Sequence, residues 1–165
     1  MAAEFSLTGS LRIVPRWVDD LSTTAVTDTA TVNLAFALAN GTGDDQANGY
    51  HKDVITIAAA GTATIDLRAL AVKLFGGAGT VSLAKVKTLL VVNRSSTASL
   101  SAFGSTANRW TALSAGAVTI GPAGTFYASH PKAGYATTAS DKVIAITNNG
   151  AAAADVEIYL VGVQA

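Results

Sequence analysis

Cysteine is absent from all 165 residues, which removes disulfides, thiolate metal sites and a thiol nucleophile together. Charge is scarce: Asp, Glu, Lys and Arg make up 13% of the chain, against roughly 25% in an ordinary soluble domain. Eleven cations balance eleven anions, for a formal net charge of zero. Only Lys85 and Lys87 stand close together. Phosphate recognition needs clustered cations, so no nucleic-acid partner is expected. Long apolar runs are missing as well. Val86–Val92 is interrupted by Lys87 and Thr88 and falls far short of the roughly 18–20 residues that span a bilayer, so no membrane partner is expected either. The opening Met-Ala-Ala-Glu-Phe has neither the basic region nor the apolar stretch of a signal peptide. Together with the missing cysteine, this points to synthesis and folding in a cytoplasm.

What fills the chain is small and neutral: Ala, Thr, Ser, Gly and Asn. Half the residues are hydrophobic although only 7% are aromatic, and the mean hydropathy is +0.39. A surface so poor in charge suits a protein whose faces are covered by neighbours, because interface cores are depleted of charge.

The dominant pattern is period-two alternation, the mark of half-buried strands. Phe5, Leu7, Gly9, Leu11 and Ile13 alternate with polar residues up to Pro15, and Val32, Leu34, Phe36 and Leu38 share one face. Leu21–Thr29 reads as a loop or weak edge strand. Val54–Ile57 and Thr64–Leu67, separated by Ala-Ala-Gly-Thr, read as a hairpin. Arg68–Phe75 carries the one helix-like spacing, closed by Gly76-Gly77. Val81–Asn93 is the strongest central strand. Further strands fall at Ala98–Phe103, Val118–Ile120, Phe126–Ala128, Tyr135–Ala136, Val143–Ile146 and Asp155–Val163, with dense turn signals between them. About eight to ten short strands with at most one short helix imply an all-β single domain, a β-sandwich or jelly roll. Residues 1–20 are expected as an N-terminal arm or edge strand, since Pro15 blocks a central strand, and residues 21–165 as the sandwich.

Motifs for chemistry are sparse. The two histidines, His51 and His130, have no companion ligands at metal spacing. No Ser sits in a Gly-x-Ser-x-Gly elbow. The glycine run Gly76–Thr80 lacks the Gly-Lys-Ser/Thr ending of a phosphate loop. Asp44, Asp45 and Asn48 could join a calcium site, but fall short of its roughly six oxygen ligands. No catalytic, cofactor-binding or metal residue is therefore assigned, and the chain is expected not to be an enzyme. Two Arg-Trp pairs, Arg16-Trp17 and Arg109-Trp110, combine a flat apolar surface with a cation, as interface hot spots do. With Phe5, Leu7, Leu11 and Ile13 they form the candidate subunit interface.

Several segments resemble small structural proteins encoded among the head and tail genes of tailed bacteriophages. The similar stretches are Leu38–Asn48 followed by Tyr50-His51-Lys52-Asp53, the Ile65-Asp66-Leu67 turn, the strand Ala84–Asn93, Gly134–Thr138, and a strand closed by Asn-Asn-Gly before a final hydrophobic strand. The resemblance covers roughly residues 32–163 and carries over no functional residue. It implies a virion component assembled in the host cytoplasm. The leading expectation is a capsid decoration or cement protein, a homo-oligomer with a trimer favoured, that bridges major capsid protein or other virion subunits. The runner-up is a tail, neck or fibre-associated subunit. A jelly-roll carbohydrate-binding module, with Trp110 stacking on a sugar beside Asn108, comes third.

Overall fold

The computed structural model describes residues 7–13, 16–21, 24–29, 32–74 and 77–165, with side chains for 37–72 and 79–165. Sixteen strands follow in chain order: β1 (Leu7–Ile13), β2 (Arg16–Leu21), β3 (Thr24–Thr29), β4 (Val32–Asn40), β5 (Gln46–Ala47), β6 (Gly49–Ile57), β7 (Thr62–Asp66), β8 (Leu70–Leu74), β9 (Gly77–Val81), β10 (Leu83–Asn93), β11 (Leu100–Ala102), β12 (Val118–Ile120), β13 (Thr125–Ser129), β14 (Tyr135–Ala136), β15 (Val143–Asn148) and β16 (Ala154–Gln164). The described residues contain no helix. The all-β reading is correct.

Two antiparallel sheets form the body. The larger runs β13-β10-β16-β6, with β14 also on β10; the smaller runs β12-β11-β15-β7. Without β14, these two sheets hold eight strands, which in chain order pair first with last, second with seventh, third with sixth and fourth with fifth. This nested pairing of strands wound across two sheets is a jelly roll. Alternate residues of both sheets meet in one core, including Leu89, Val91, Val156, Ile158 and Leu160 from the larger sheet and Leu100, Ile120, Ile144 and Ile146 from the smaller.

Two local expectations are corrected. Val54–Ile57 and Thr64–Leu67 do not form a hairpin: β6 pairs with β16 and β7 with β15, so the short turn carries the chain from one sheet to the other. Arg68–Phe75 is not helical over its described part. Leu67–Ala69 turn, with the Arg68 and Ala69 N–H groups donating to the Asp66 Oδ1 and C=O, and Leu70–Leu74 pairs with Gly77–Val81 as a hairpin. Buried Leu70 and half-buried Val72 also fit period two; so short an apolar run cannot distinguish the two periods.

Ahead of the roll lies a two-stranded ribbon. β1 pairs with β4 from Leu7↔Leu38 to Ile13↔Val32, and β2 with β3 from Arg16↔Thr29 to Leu21↔Thr24. Both ladders keep one register, so the outer half continues the inner. The division expected between residues 20 and 21 falls inside the β2–β3 ladder. At the ribbon's base β4 also pairs in parallel with β5.

Two buried asparagines tie the turns that switch sheets. Asn93 donates to the Ala98 and Gly121 carbonyls at 2.7 and 2.8 Å and accepts from Ser95 N–H. Asn148 donates to the Ile57, Ala58 and Ala152 carbonyls at 3.1, 3.1 and 2.8 Å and accepts from Gly150 N–H. Buried carbonyls that lose their donor carry a desolvation penalty. Asn148→Ala should therefore destabilise the fold by about 1–3 kcal/mol, whereas the exposed neighbour Asn149→Ala should change it by about 0.5 kcal/mol or less. Urea denaturation of both variants measures the difference.

Candidate assembly surface

The outer face of the larger sheet is the most unusual surface among the described residues. Strand alternation turns Tyr50, Lys52 and Val54 of β6 outward, with Glu157, Tyr159 and Val161 of β16, Thr88, Leu90 and Val92 of β10, and Thr125, Tyr127 and Ser129 of β13. Register lines them up in rows. Tyr127, Leu90, Tyr159 and Lys52 are cross-strand neighbours, and so are Thr125, Val92, Glu157 and Val54. Among the described residues, the large exposed hydrophobics Tyr50, Val54 and Tyr127 all lie here.

At the centre sits a carboxylate. Glu157 is only 6% exposed. It accepts a hydrogen bond from the Tyr159 hydroxyl, a pair from Arg94 with Nε at 2.9 Å, and an ion pair from Lys52 Nζ at 3.1 Å. Lys52 Nζ also lies 4.9 Å from the Tyr159 ring centroid, a cation–π distance. Donation from Tyr159, then from Arg94 and Lys52, pulls the Glu157 carboxyl from 4.5 down to about 2. The charge is thus matched within the chain, while Lys52 and Arg94 keep exposed flanks.

A second polar feature is a cleft of about 150 Å³ between β6 and β7, lined by His51, Asp53, Ile55, Thr64, Asp66 and Leu70 among others. His51, expected as a polar loop or edge residue, is 5% exposed. Its Nδ1 has no hydrogen-bond partner, and burial pushes its pKa down, against a smaller upward pull from Asp53. Asp66 is already engaged by Lys142 Nζ at 2.8 Å.

Lys87 is 1% exposed. Its ammonium donates to the carbonyls of Gly43, at 3.2 Å, and Lys132, clamping two loops that also meet through Asp45 N–H and the Pro131 carbonyl. Burial lowers its pKa, with Asp44 pulling the other way.

The interface residues read from sequence fare differently. Phe5 lies outside the described residues. Leu7, Leu11 and Ile13 fall on β1 and Arg16 and Trp17 on β2, both in the ribbon, with side chains outside the described set. Trp110, read from its polar loop as either an interface residue or a cap on one end of the sandwich, is 0% exposed. Its indole N–H donates to the Ala136 carbonyl at 2.7 Å, and its ring meets Tyr135 edge-on and Phe103 at a tilt. Its backbone N–H is held by the Val143 carbonyl, so the loop folds inward and the ring completes the core. Such a ring offers no face to a partner or a sugar. Arg109 beside it is half-buried and bridges to Val143 through its backbone.

Asn48, considered with Asp44 and Asp45 as a calcium ligand, instead accepts from Gln164 N–H at 2.7 Å. Among the described residues no three His, Asp or Glu side chains converge as a metal site. Sequence reasoning missed the Glu157 cluster. Alternation along Val-Glu-Ile-Tyr-Leu does place Glu157 with Tyr159, but their partners Lys52 and Arg94 are brought in by long-range pairing.

No protein-family model matches this chain, and no curated protein or solved structure does either.

Glu157 and His51 act in separate pH windows. Glu157 is more acidic folded than unfolded, so its stabilisation is present above pH 4.5 and is lost as pH falls toward about 2. His51 is harder to protonate folded than unfolded, so stability should fall as pH drops below about 6.5. Denaturation midpoints measured from pH 8 to pH 2.5 should show both slopes. Glu157→Gln should reduce only the lower one, leaving the share of Asp66, which is also more acidic folded, and His51→Phe should flatten only the upper.

Proposed function

We propose that this chain is a non-enzymatic structural subunit of a tailed-phage virion, and that it works as a capsid decoration or cement protein. The observation that carries the reading is the ribbon. Among the described residues β2 and β3 pair only with each other, and a two-stranded hairpin alone is marginal in water. A subunit that spends so many residues on such an arm gains from it when the arm lies on a neighbour. The charge-poor composition supports the same reading. So does the exposure of Tyr50, Val54 and Tyr127 on one sheet face, since surface aromatic and aliphatic clusters mark contact sites. The resemblance to phage head and tail proteins is the reason for choosing a virion, and the jelly roll is an architecture used in viral capsids, a likeness of fold only.

In this role the protein is a homo-oligomer, a trimer being favoured, seated on the virion shell against major capsid protein. It adds buried apolar area and strand pairing across subunit boundaries and so resists the outward pressure of packaged DNA. Particles lacking the protein should lose DNA at a lower temperature and under milder osmotic shock than complete ones. Complete particles should carry hundreds of copies. Six or twelve copies at the neck or tail, with unchanged head stability, would overturn the cement role in favour of a tail or neck subunit.

A further inference from the structure

Among the described residues, the ribbon's base packs on the roll at Leu38. Leu38, at the inner end of the β1–β4 ladder, is 2% exposed and packs with Ala47 and Val161 in a small cluster separate from the main core. Val161 belongs to the outer face of the larger sheet, between Thr88 and Tyr50. The ribbon therefore starts at one margin of the face that carries Tyr50, Val54 and Tyr127.

The register of the ribbon gives it an apolar side. Leu7, Gly9, Leu11 and Ile13 stand opposite Leu38, Phe36, Leu34 and Val32, and directly paired residues share a face of an antiparallel ladder. Leu38 is the innermost position of that stripe, and it is the position seated on Val161. Leu38, which shares its face of the ladder with those register positions, is the one described to meet the sheet. Yet the chain's own ribbon does not cover the rest of the face, because Tyr50, Val54 and Tyr127 remain 44, 54 and 39% exposed.

We propose that this outer face, from Tyr50 and Val54 across Tyr159 and Leu90 to Tyr127, receives the apolar side of the ribbon of a second copy of this chain. The Leu38–Val161 contact is the edge of the same interface, completed by a neighbour. Glu157 poses no obstacle, since its charge is answered by Arg94, Lys52 and Tyr159 before any partner arrives. A buried charge is costly only when unpaired. Each copy offers one ribbon and one face, which are different surfaces. The contact joins unlike surfaces, and it closes as a reciprocal pair or as a ring according to the rotation between copies. This inference deepens the assembly reading above and rests on it only in requiring that copies associate; its test uses purified protein and no virion.

Light scattering after size exclusion should show an oligomer for the wild-type chain. Val54→Arg on the face and Leu34→Arg on the ribbon should each weaken association at least tenfold. An unchanged circular dichroism spectrum would show that the fold is kept. Mixing the two variants leaves one intact face and one intact ribbon, so dimers should form and stop there. Tyr127→Arg replaces Val54→Arg if the latter misfolds. The chain has no cysteine, so Val54→Cys and Leu34→Cys copies, purified apart and mixed under oxidation, should cross-link to each other. A monomer at all concentrations would overturn the proposal, as would an oligomer indifferent to all three arginine variants. A Val54→Cys/Leu34→Cys double variant that cross-links only within one chain would overturn it too. Failure here with a stabilised capsid would leave the cement role standing, and success without a capsid effect would remove that role alone.

Discussion

Everything in the roll hangs on β16. It lies between β6 and β10, so the last of the roll's eight strands supplies the centre of the larger sheet and brings its first and third strands together. Its inward residues Val156, Ile158 and Leu160 are fully buried, and its outward residues Glu157, Tyr159 and Val161 build the exposed face. The fit is tight: a Cβ on Gly162 would lie 2.1 Å from the Lys85 carbonyl oxygen. That approach occurs where the β10–β16 register slips, between Val86 and Thr88. Only glycine permits it.

From that constraint the functional surfaces follow. Pairing of β6 with β16 carries Lys52 to Tyr159 and Val54 to Glu157. Pairing of β10 with β16 brings Arg94, one residue past β10, to the same carboxylate. The β10 shift also accompanies the inward turn of Lys87, which fixes the loop leading from the ribbon into β6. The ribbon's root is thereby held at Gly43 on one side and at Leu38 on the other. A firmly rooted arm loses less freedom on docking than a loose tail would.

Much of this was legible in the sequence at the level of single strands. Alternation along Val32–Leu38, Val81–Asn93 and Asp155–Val163 marks real strands, and the same alternation puts Glu157 and Tyr159 on one face, where the structure has them. What stayed hidden is long-range. A turn such as Ala59–Thr62 reads the same whether the chain doubles back or crosses to the opposite sheet, and in a jelly roll it crosses. Trp110 looked like a surface anchor because its neighbours are polar. Its burial comes from Val143 and Ala136, more than 25 residues further along the chain. The pairing of Glu157 with Arg94 bridges 63 residues, a separation no local pattern encodes.

The position of β16 also sets a schedule for the nascent chain. Until that strand leaves the ribosome, β6 and β10 each lack the neighbour that belongs between them, and two apolar edges stand open. The β1–β4, β2–β3 and β8–β9 ladders need only nearby residues and form early, because short loops close fastest. The larger sheet therefore stays open through most of synthesis, and the insertion of β16 between β6 and β10 is the step that closes it.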